Sequence, residues 1–505
     1  MTDAPRNDLP SSLLAEQYLT SPLTLYVGDV APPFSKEDID RLIITFQNLV
    51  VAVPCSSLAA NTNAFYWLSH MLSCAADKKN NEQVEKITSL LFNLSESDPD
   101  NLALGLSKKI ETGKYKGQTP AYIIASKVYS SAYYPECKTT VDNLSLLLSS
   151  LVKNASEFFA TLTESITEEN QPGETPLLKL VLTLMRAGER PGNEEAVRCL
   201  MDLLIDCFNA SRNLKSAITE EITLGIYKNK SIHYFLVLAL DQAARTNQQY
   251  CVQALTDILA QLSFTLDPFN AFGSLTKTIH SGPYKDLNLL HLTMQIFKSA
   301  AYVDNNYDNM HTIAKLLTKI MTDNLARFNT AMTQQFLIPM FAGSAEYRTE
   351  SGIKLLVNTL TAAFAHQNNI TDILNLLTKL TAAPSKAMVD AFLETTNGSV
   401  KEDSPLKELT RLLEDKNLSR ETHQAIQQIV EKVKTAKQSL YSSPSAQQIA
   451  PASSSGMSNA LSSPSAFFIN PNPSSNLGHR SPPITLDSPY NENIETAHPS
   501  KRRSI

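Results

Sequence analysis

Short apolar segments recur along the chain, each opened by a residue suited to capping a helix: NAFYWLSHML, TPAYIIASKV, TPLLKLVLTL, SIHYFLVLAL and LNLLHLTMQI. Leu68, Ile124, Leu180, Leu236 and Leu292 stand 56 residues apart at every step. Four residues further on, Leu72, Val128, Leu184, Leu240 and Ile296 repeat the interval. Two apolar columns four residues apart lie on one helix face. SGIKLLVNTL continues the series through Leu356 and Leu360, after a step of 64 rather than 56 residues, which places an insertion in the fifth interval.

A second segment in each interval is apolar at positions 1, 4, 7, 8 and 11, the wide stripe of a 3.6-residue period. It reads Val84, Ile87, Leu90, Leu91, Leu94, then Val141, Leu144, Leu147, Leu148, Leu151, then Val197, Leu200, Leu203, Leu204, Cys207. Val252, Leu255, Ile258, Leu259, Leu262 follow, then Met310, Ile313, Leu316, Leu317, Ile320, and finally Ile370, Ile373, Leu376, Leu377, Leu380. A third, shorter helix is predicted from Leu106, Leu162, Ile218 and Leu275, each followed four residues later by Ile110, Ile166, Ile222 and Ile279.

No such unit buries its stripes alone, so stacking against neighbours is required to make a continuous core. The expected fold is all-α: an α-solenoid of about six three-helix repeats of roughly 56 residues, over 61–117, 118–173, 174–229, 230–285, 286–347 and 348–400. Residues 35–60 and 401–440 read as helical caps, and 1–34 as a flexible, polar N-terminus. From 441 to 505 the composition turns to Ser, Pro, Asn and Gln, with little to bury, which predicts disorder. Within it, the Ser-Pro steps at Ser443, Ser463, Ser481 and Ser488 are candidate phosphorylation sites, where a phosphate would add charge to a flexible chain. Phe467, Phe468 and Ile469 form a small apolar cluster suited to a short linear motif, and Lys501, Arg502 and Arg503 make a brief basic end.

Thr119-Pro120-Ala121-Tyr122-Ile123-Ile124-Ala125 and Thr175-Pro176-Leu177-Leu178 resemble the T-P-L-H-x-A opening of ankyrin repeats. The Thr hydroxyl caps free N–H groups there, and Pro pre-sets φ at the first helical position. The ankyrin period is about 33 residues with two helices, so the resemblance is confined to the repeat openings; it implies a protein that binds other proteins. Helical repeats followed by a polar, Ser-rich tail also resemble, in style, effectors that intracellular bacteria deliver by type IV secretion. That resemblance implies secretion into the host cytosol, with the tail as transport signal.

Composition narrows the chemistry. Only 15 of 505 residues are Gly, well below the usual level of about 7%, which leaves few phosphate-cradling turns. A net charge of -6 gives no field for a nucleic-acid backbone. Six scattered cysteines, without a CxxC pair, argue against zinc and disulfides and for reduced cytoplasmic thiols; Cys199 and Cys207 read as core hydrophobes. The opening residues lack the pattern of a secretory leader, and no apolar run is long enough to span a membrane.

HExxH, GxSxG, Walker and GxGxxG motifs are all missing, so no catalytic, cofactor-binding or metal-ligating residue is assigned and no small-molecule substrate is evident. His70, His233 and His291 lie on or beside the first-helix stripes and read as packing residues, as do Trp67 and Tyr122. The leading expectation is a non-enzymatic protein-interaction scaffold in the cytoplasm. An enzyme or enzyme regulator with a site in the groove between units is the alternative, and membrane-surface binding ranks last. Loops after the first helices differ sharply in chemistry, which is where a binding edge on a constant scaffold falls. Tyr133, Tyr134, Arg190, Arg245, Tyr302 and Tyr307 are the candidate partner-binding residues.

Overall fold

The computed structural model describes residues 35–441 apart from 53–54, 56–61, 112–114, 156, 167–171, 189–192, 211–216, 266–274, 280–283, 285–286, 340–346 and 395–403. The described chain is mostly helical. A lead-in helix, α1 (Lys36–Ala52), precedes α2 (Thr62–Asp77), α3 (Asn81–Ser97) and α4 (Pro99–Ser107). Then come α5 (Pro120–Ser131), α6 (Lys138–Asn154), α7 (Phe158–Thr163), α8 (Pro176–Gly188), α9 (Glu194–Ala210), α10 (Ile232–Arg245) and α11 (Gln249–Thr265). The chain continues through α12 (Leu289–Ala301), α13 (Tyr307–Asp323), α14 (Leu325–Thr333), α15 (Gly352–Ala365), α16 (Ile370–Leu380), α17 (Lys386–Leu393), α18 (Pro405–Leu412) and α19 (Arg420–Tyr441).

Side-chain caps set the start of five first helices. The oxygens of Thr119, Thr175, Ser231, Asn288 and Ser351 accept the backbone N–H three residues ahead, at 2.7 to 3.2 Å. Each cap satisfies an N–H that the first turn leaves without an intrahelical partner. The first helices pack in sequence, α2 on α5, α5 on α8, α8 on α10, α10 on α12, α12 on α15 and α15 on α18. The second helices do the same, from α1 on α3 through α6, α9, α11, α13 and α16 to α19. Five of them, α3, α6, α9, α11 and α13, are each 17 residues long. Their apolar stripes merge into one buried core running from Ile39 to Val433.

The third segments differ from the expectation. Helices α4 and α7 end at Ser107 and Thr163, so Ile110 and Ile166 lie beyond them. Ile110, Ile166, Ile222 and Ile279 instead donate their backbone N–H to the carbonyls of Gln118, Glu174, Lys230 and Leu287. They form arms of short antiparallel hairpins, in which a β-branched side chain suits extended backbone. A four-residue spacing carried from helix into hairpin mimics helical periodicity.

The longer fifth interval has the same origin. Isolated pairings join Glu221 to Ser231 and Thr278 to Asn288, each ten residues apart, whereas Gln335 pairs with Ser351. That hairpin lengthens into strands β1 (Gln335–Pro339) and β2 (Tyr347–Ser351). Glycine is required where neighbouring hairpins meet. A Cβ on Gly225, at φ +75°, would stand 2.0 Å from the Pro172 carbonyl oxygen.

Candidate partner-binding surface

Positions three, seven, ten and fourteen after each cap share one face of the first helices. In α5 these are Tyr122, Ser126, Tyr129 and Tyr133; in α10, Tyr234, Leu238, Asp241 and Arg245; in α12, His291, Gln295, Lys298 and Tyr302. In each row the first residue is buried and those that follow are half-buried or exposed, with Tyr133 and Tyr302 just past the helix ends. The result is a row of side chains with packed roots and accessible ends, differing in chemistry from helix to helix.

In α5 the row joins a buried ionic network. Tyr122 Oη donates to Glu174 Oε2, whose carboxylate also meets Lys179 Nζ at 2.8 Å. Glu174 and Lys179 are 4% and 8% exposed, and a pair so deep is stable only because each charge answers the other. Lys179 Nζ lies 5.2 Å from the Tyr129 ring centre. Arg186 stands over both Tyr129 and Tyr133, at 4.4 and 5.1 Å. Guanidinium over a ring face is attractive and holds the ring's orientation.

Further along the chain, α10, α12 and the start of α15 flank a groove of about 200 Å³. Asp241, Arg245, Tyr284, Lys298, Tyr302 and Glu350 supply its chemistry. Arg245 Nε donates to Asp241 Oδ1 at 2.9 Å, and Lys298 Nζ stands 3.6 Å from Glu350 Oε1. Glu350 is only 2% exposed and also accepts from Asn358 Nδ2 at 3.1 Å. Burial, then the Asp241 charge, pushes the Tyr284 hydroxyl above its ordinary pKa, so it remains a donor. The groove thus offers both signs of charge, a phenol and an aromatic rim.

The sequence-derived candidates fall into three places. Tyr133 and Tyr134 meet edge to face at 5.2 Å, and Lys79 lies 3.9 Å over the Tyr134 ring. Arg245 and Tyr302 come together in the groove, and Tyr302, 54% exposed, leans on His366. Tyr307 stands apart, stacked on His311 at the start of α13. Arg190 and the four Ser-Pro serines, Ser443, Ser463, Ser481 and Ser488, lie outside the described residues.

The candidate chemistry of the alternative reading is dispersed. His70 has Cys74 Sγ 4.0 Å from Nδ1 and is ringed by Tyr66, Trp67 and Tyr115. Burial lowers His233 to about 4 and His291 to about 3, so both imidazoles are neutral at pH 7. His291 packs on Phe336, 4.3 Å between ring centres. Trp67 and Tyr122 are buried, as packing residues are. Cys207 is fully buried, but Cys199 is only half-buried and faces Asp142 of α6 rather than the core. Burial pushes the Cys199 thiol up to about 12, with Asp142 adding to the shift, which makes it a poor nucleophile. Among the described residues no cluster of His, Cys, Asp and Glu has the arrangement of a metal site.

Buried asparagines at the turns between first and second helices were not foreseen. Asn193 Nδ2 donates to Ala132 O at 3.0 Å, and Asn306 Nδ2 to Ala244 O and Ala300 O at 3.2 and 3.1 Å. Asn368 Nδ2 reaches Ala301 O and Val303 O, both at 2.9 Å. Each ties the end of one first helix to the turn that follows the next. A signal exists in the sequence: Asn193 and Asn306 stand immediately before the second helix, and Asn368 two residues before it. Comparison with protein-family models, curated proteins and solved structures returned no match.

Proposed function

We propose that the chain is an α-solenoid of about six stacked three-helix units and acts as a non-enzymatic protein-interaction scaffold. Its partner lies along the first-helix face, with the groove of Arg245 and Tyr302 as the principal contact. The observation that carries this reading is the contrast on a single set of helices. Columns five and nine residues after the cap are apolar and buried, whereas the seventh, tenth and fourteenth change from tyrosine to leucine to charge. Variation confined to the accessible side of a constant frame favours recognition over packing. An accessible aromatic beside an arginine is also the composition of binding hot spots.

The test starts with affinity capture on the full chain, followed by titration of the identified partner. R245A/Y302A is expected to weaken binding by about 2 kcal/mol or more. Leu146→Ala, on the exposed side of α6, serves as the control and is expected to leave binding unchanged. Equal affinity of R245A/Y302A and the unaltered chain, with helical content intact, would overturn the assignment.

A further inference from the structure

Helices α13 and α16 pack against each other and between them lies a groove of about 530 Å³, lined by His311, Lys315, Thr318, Lys319, Asp372 and Lys379 among others. His311, Lys315 and Lys319 are four residues apart on α13, forming one stripe. Lys379 faces them from α16. The three lysines are exposed. Among the described residues Asp372 is the one carboxylate of the lining, and it already accepts from Asn369 and pairs with His311 Nδ1 at 2.5 Å. Lys315 and Lys379 have no carboxylate partner among the described residues. Lysines at i and i+4 repel by a few tenths of a kcal/mol, and a chain of net charge -6 has acidic residues to spare for interspersing them. An anionic segment laid between the stripes would pair with Lys315 and Lys379.

The chain carries such a segment. From Ser442 to His479 there is no Asp, Glu, Lys or Arg, and Asp487, Glu492 and Glu495 then fall in 481–500, a stretch free of Lys and Arg that is bounded by Arg480 on one side and Lys501, Arg502 and Arg503 on the other. The described chain ends at Tyr441 of α19, whose hydroxyl donates to Asp390 of α17. Helix α19 packs on α16, one wall of the groove. Asp487 follows Tyr441 by 46 residues, and that length of chain can span up to about 150 Å when extended. Helices in contact lie about 8–10 Å apart, so the groove is well within reach.

We infer that the acidic segment Asp487–Glu495 of this chain docks in the lysine-lined groove between α13 and α16 and competes there with acidic segments of other proteins. The contact is electrostatic and screened by salt, and phosphorylation of Ser488 would strengthen it by adding up to about two negative charges.

A labelled synthetic peptide of residues 484–497 is titrated, at low and at high ionic strength, against the full-length chain and against its D487N/E492Q/E495Q variant. The variant lacks the tethered competitor and is expected to bind the peptide about tenfold more tightly than the unaltered chain, with the affinity lost at high salt. K315E/K379E is expected to abolish binding while keeping its helical content. Should that variant fail to fold, Lys315→Gln, expected to weaken binding several-fold, takes its place. Equal affinity for the unaltered and neutralised chains would overturn docking in cis, and binding that survives K315E/K379E would overturn the groove.

Discussion

The junction between α6 and α9 and the one between α13 and α16 join equivalent helices by different means. At the first, both helices run 17 residues, and Val141, Leu144, Leu148, Val197, Leu200 and Leu204 are almost wholly buried. Its polar crossings are few: Ser149 and Lys153 both bond to Asp206 at the margin, and Asp142 meets the Cys199 thiol. At the second, α16 is only 11 residues long. Polar groups there span the joint: His311 to Asp372, His366 Nδ1 to Asp304 at 2.9 Å, and Asn306 N to Asn368 Oδ1 at 3.1 Å. Where full-length stripes face each other, apolar area does most of the work of holding the register. Where the stripe is shortened, directional bonds at the turn take over that task.

The most damaging way to break the comparison is a buried charge. Leu203→Asp, at a position with no solvent exposure, is expected to destabilise by on the order of 4–5 kcal/mol or more. Leu180→Asp should behave likewise. Ile370→Asp belongs to the corresponding stripe of the sixth interval but occupies the first turn of α16 and is half-buried. Denaturant unfolding should register less than about 1 kcal/mol for it, because a first-turn carboxylate is favoured by the helix dipole.

Asn306→Ala ranks next. It leaves the Ala244 and Ala300 carbonyls without this donor, and a loss of about 1–3 kcal/mol follows from stranding buried acceptors. A loss below a few tenths would mean that the turn is held by apolar contact after all.

Acid acts through His233 and His291. Burial keeps both neutral in the fold, near 4 and 3 respectively, whereas the unfolded chain binds these protons from about pH 6.5 downward. Stability is therefore complete above that value and declines as pH falls toward 4, by on the order of 2–3 kcal/mol per histidine. His291→Leu should flatten the profile of unfolding free energy between pH 6.5 and 4; an unchanged slope would contradict the assignment. Smallest is Arg245→Ala, whose exposed pair with Asp241 should alter stability by less than about 0.5 kcal/mol. Its effect is expected on partner affinity instead.

Periodicity revealed the first and second helices because burial on one face imposes a repeating apolar column whatever the other residues are. The same logic misassigned what lies beyond the third helices, where Ile110 and Ile166 keep the spacing while the backbone has turned extended. It also set the sixth second helix one turn early: Ile370 is the first helical residue, and Ile373 holds the position that Val84 holds in α3, four residues after its cap. The spacing of Ile370 to Ile373 and Leu377 satisfies the stripe equally well, and only the Asn369 cap separates the two registers. The candidate surface was legible in part. Loop chemistry pointed to Tyr302 and Arg245 but not to Lys298 or Glu350, which are distant in sequence and meet only when first helices pack side by side. The tail that the effector-like reading joins to the helical repeats, residues 442–505, lies outside the described chain.

Amide hydrogen exchange on the full chain carrying Leu203→Asp tests the stacked array most directly. Nearest-neighbour stacking predicts a graded response: protection lost in α8 to α10, reduced in α5, α6, α11 and α12, and close to unaltered in α2, α3, α18 and α19. Equal loss of protection from α2 to α19 would contradict the account, since it would mark a single cooperative core rather than units standing on their neighbours.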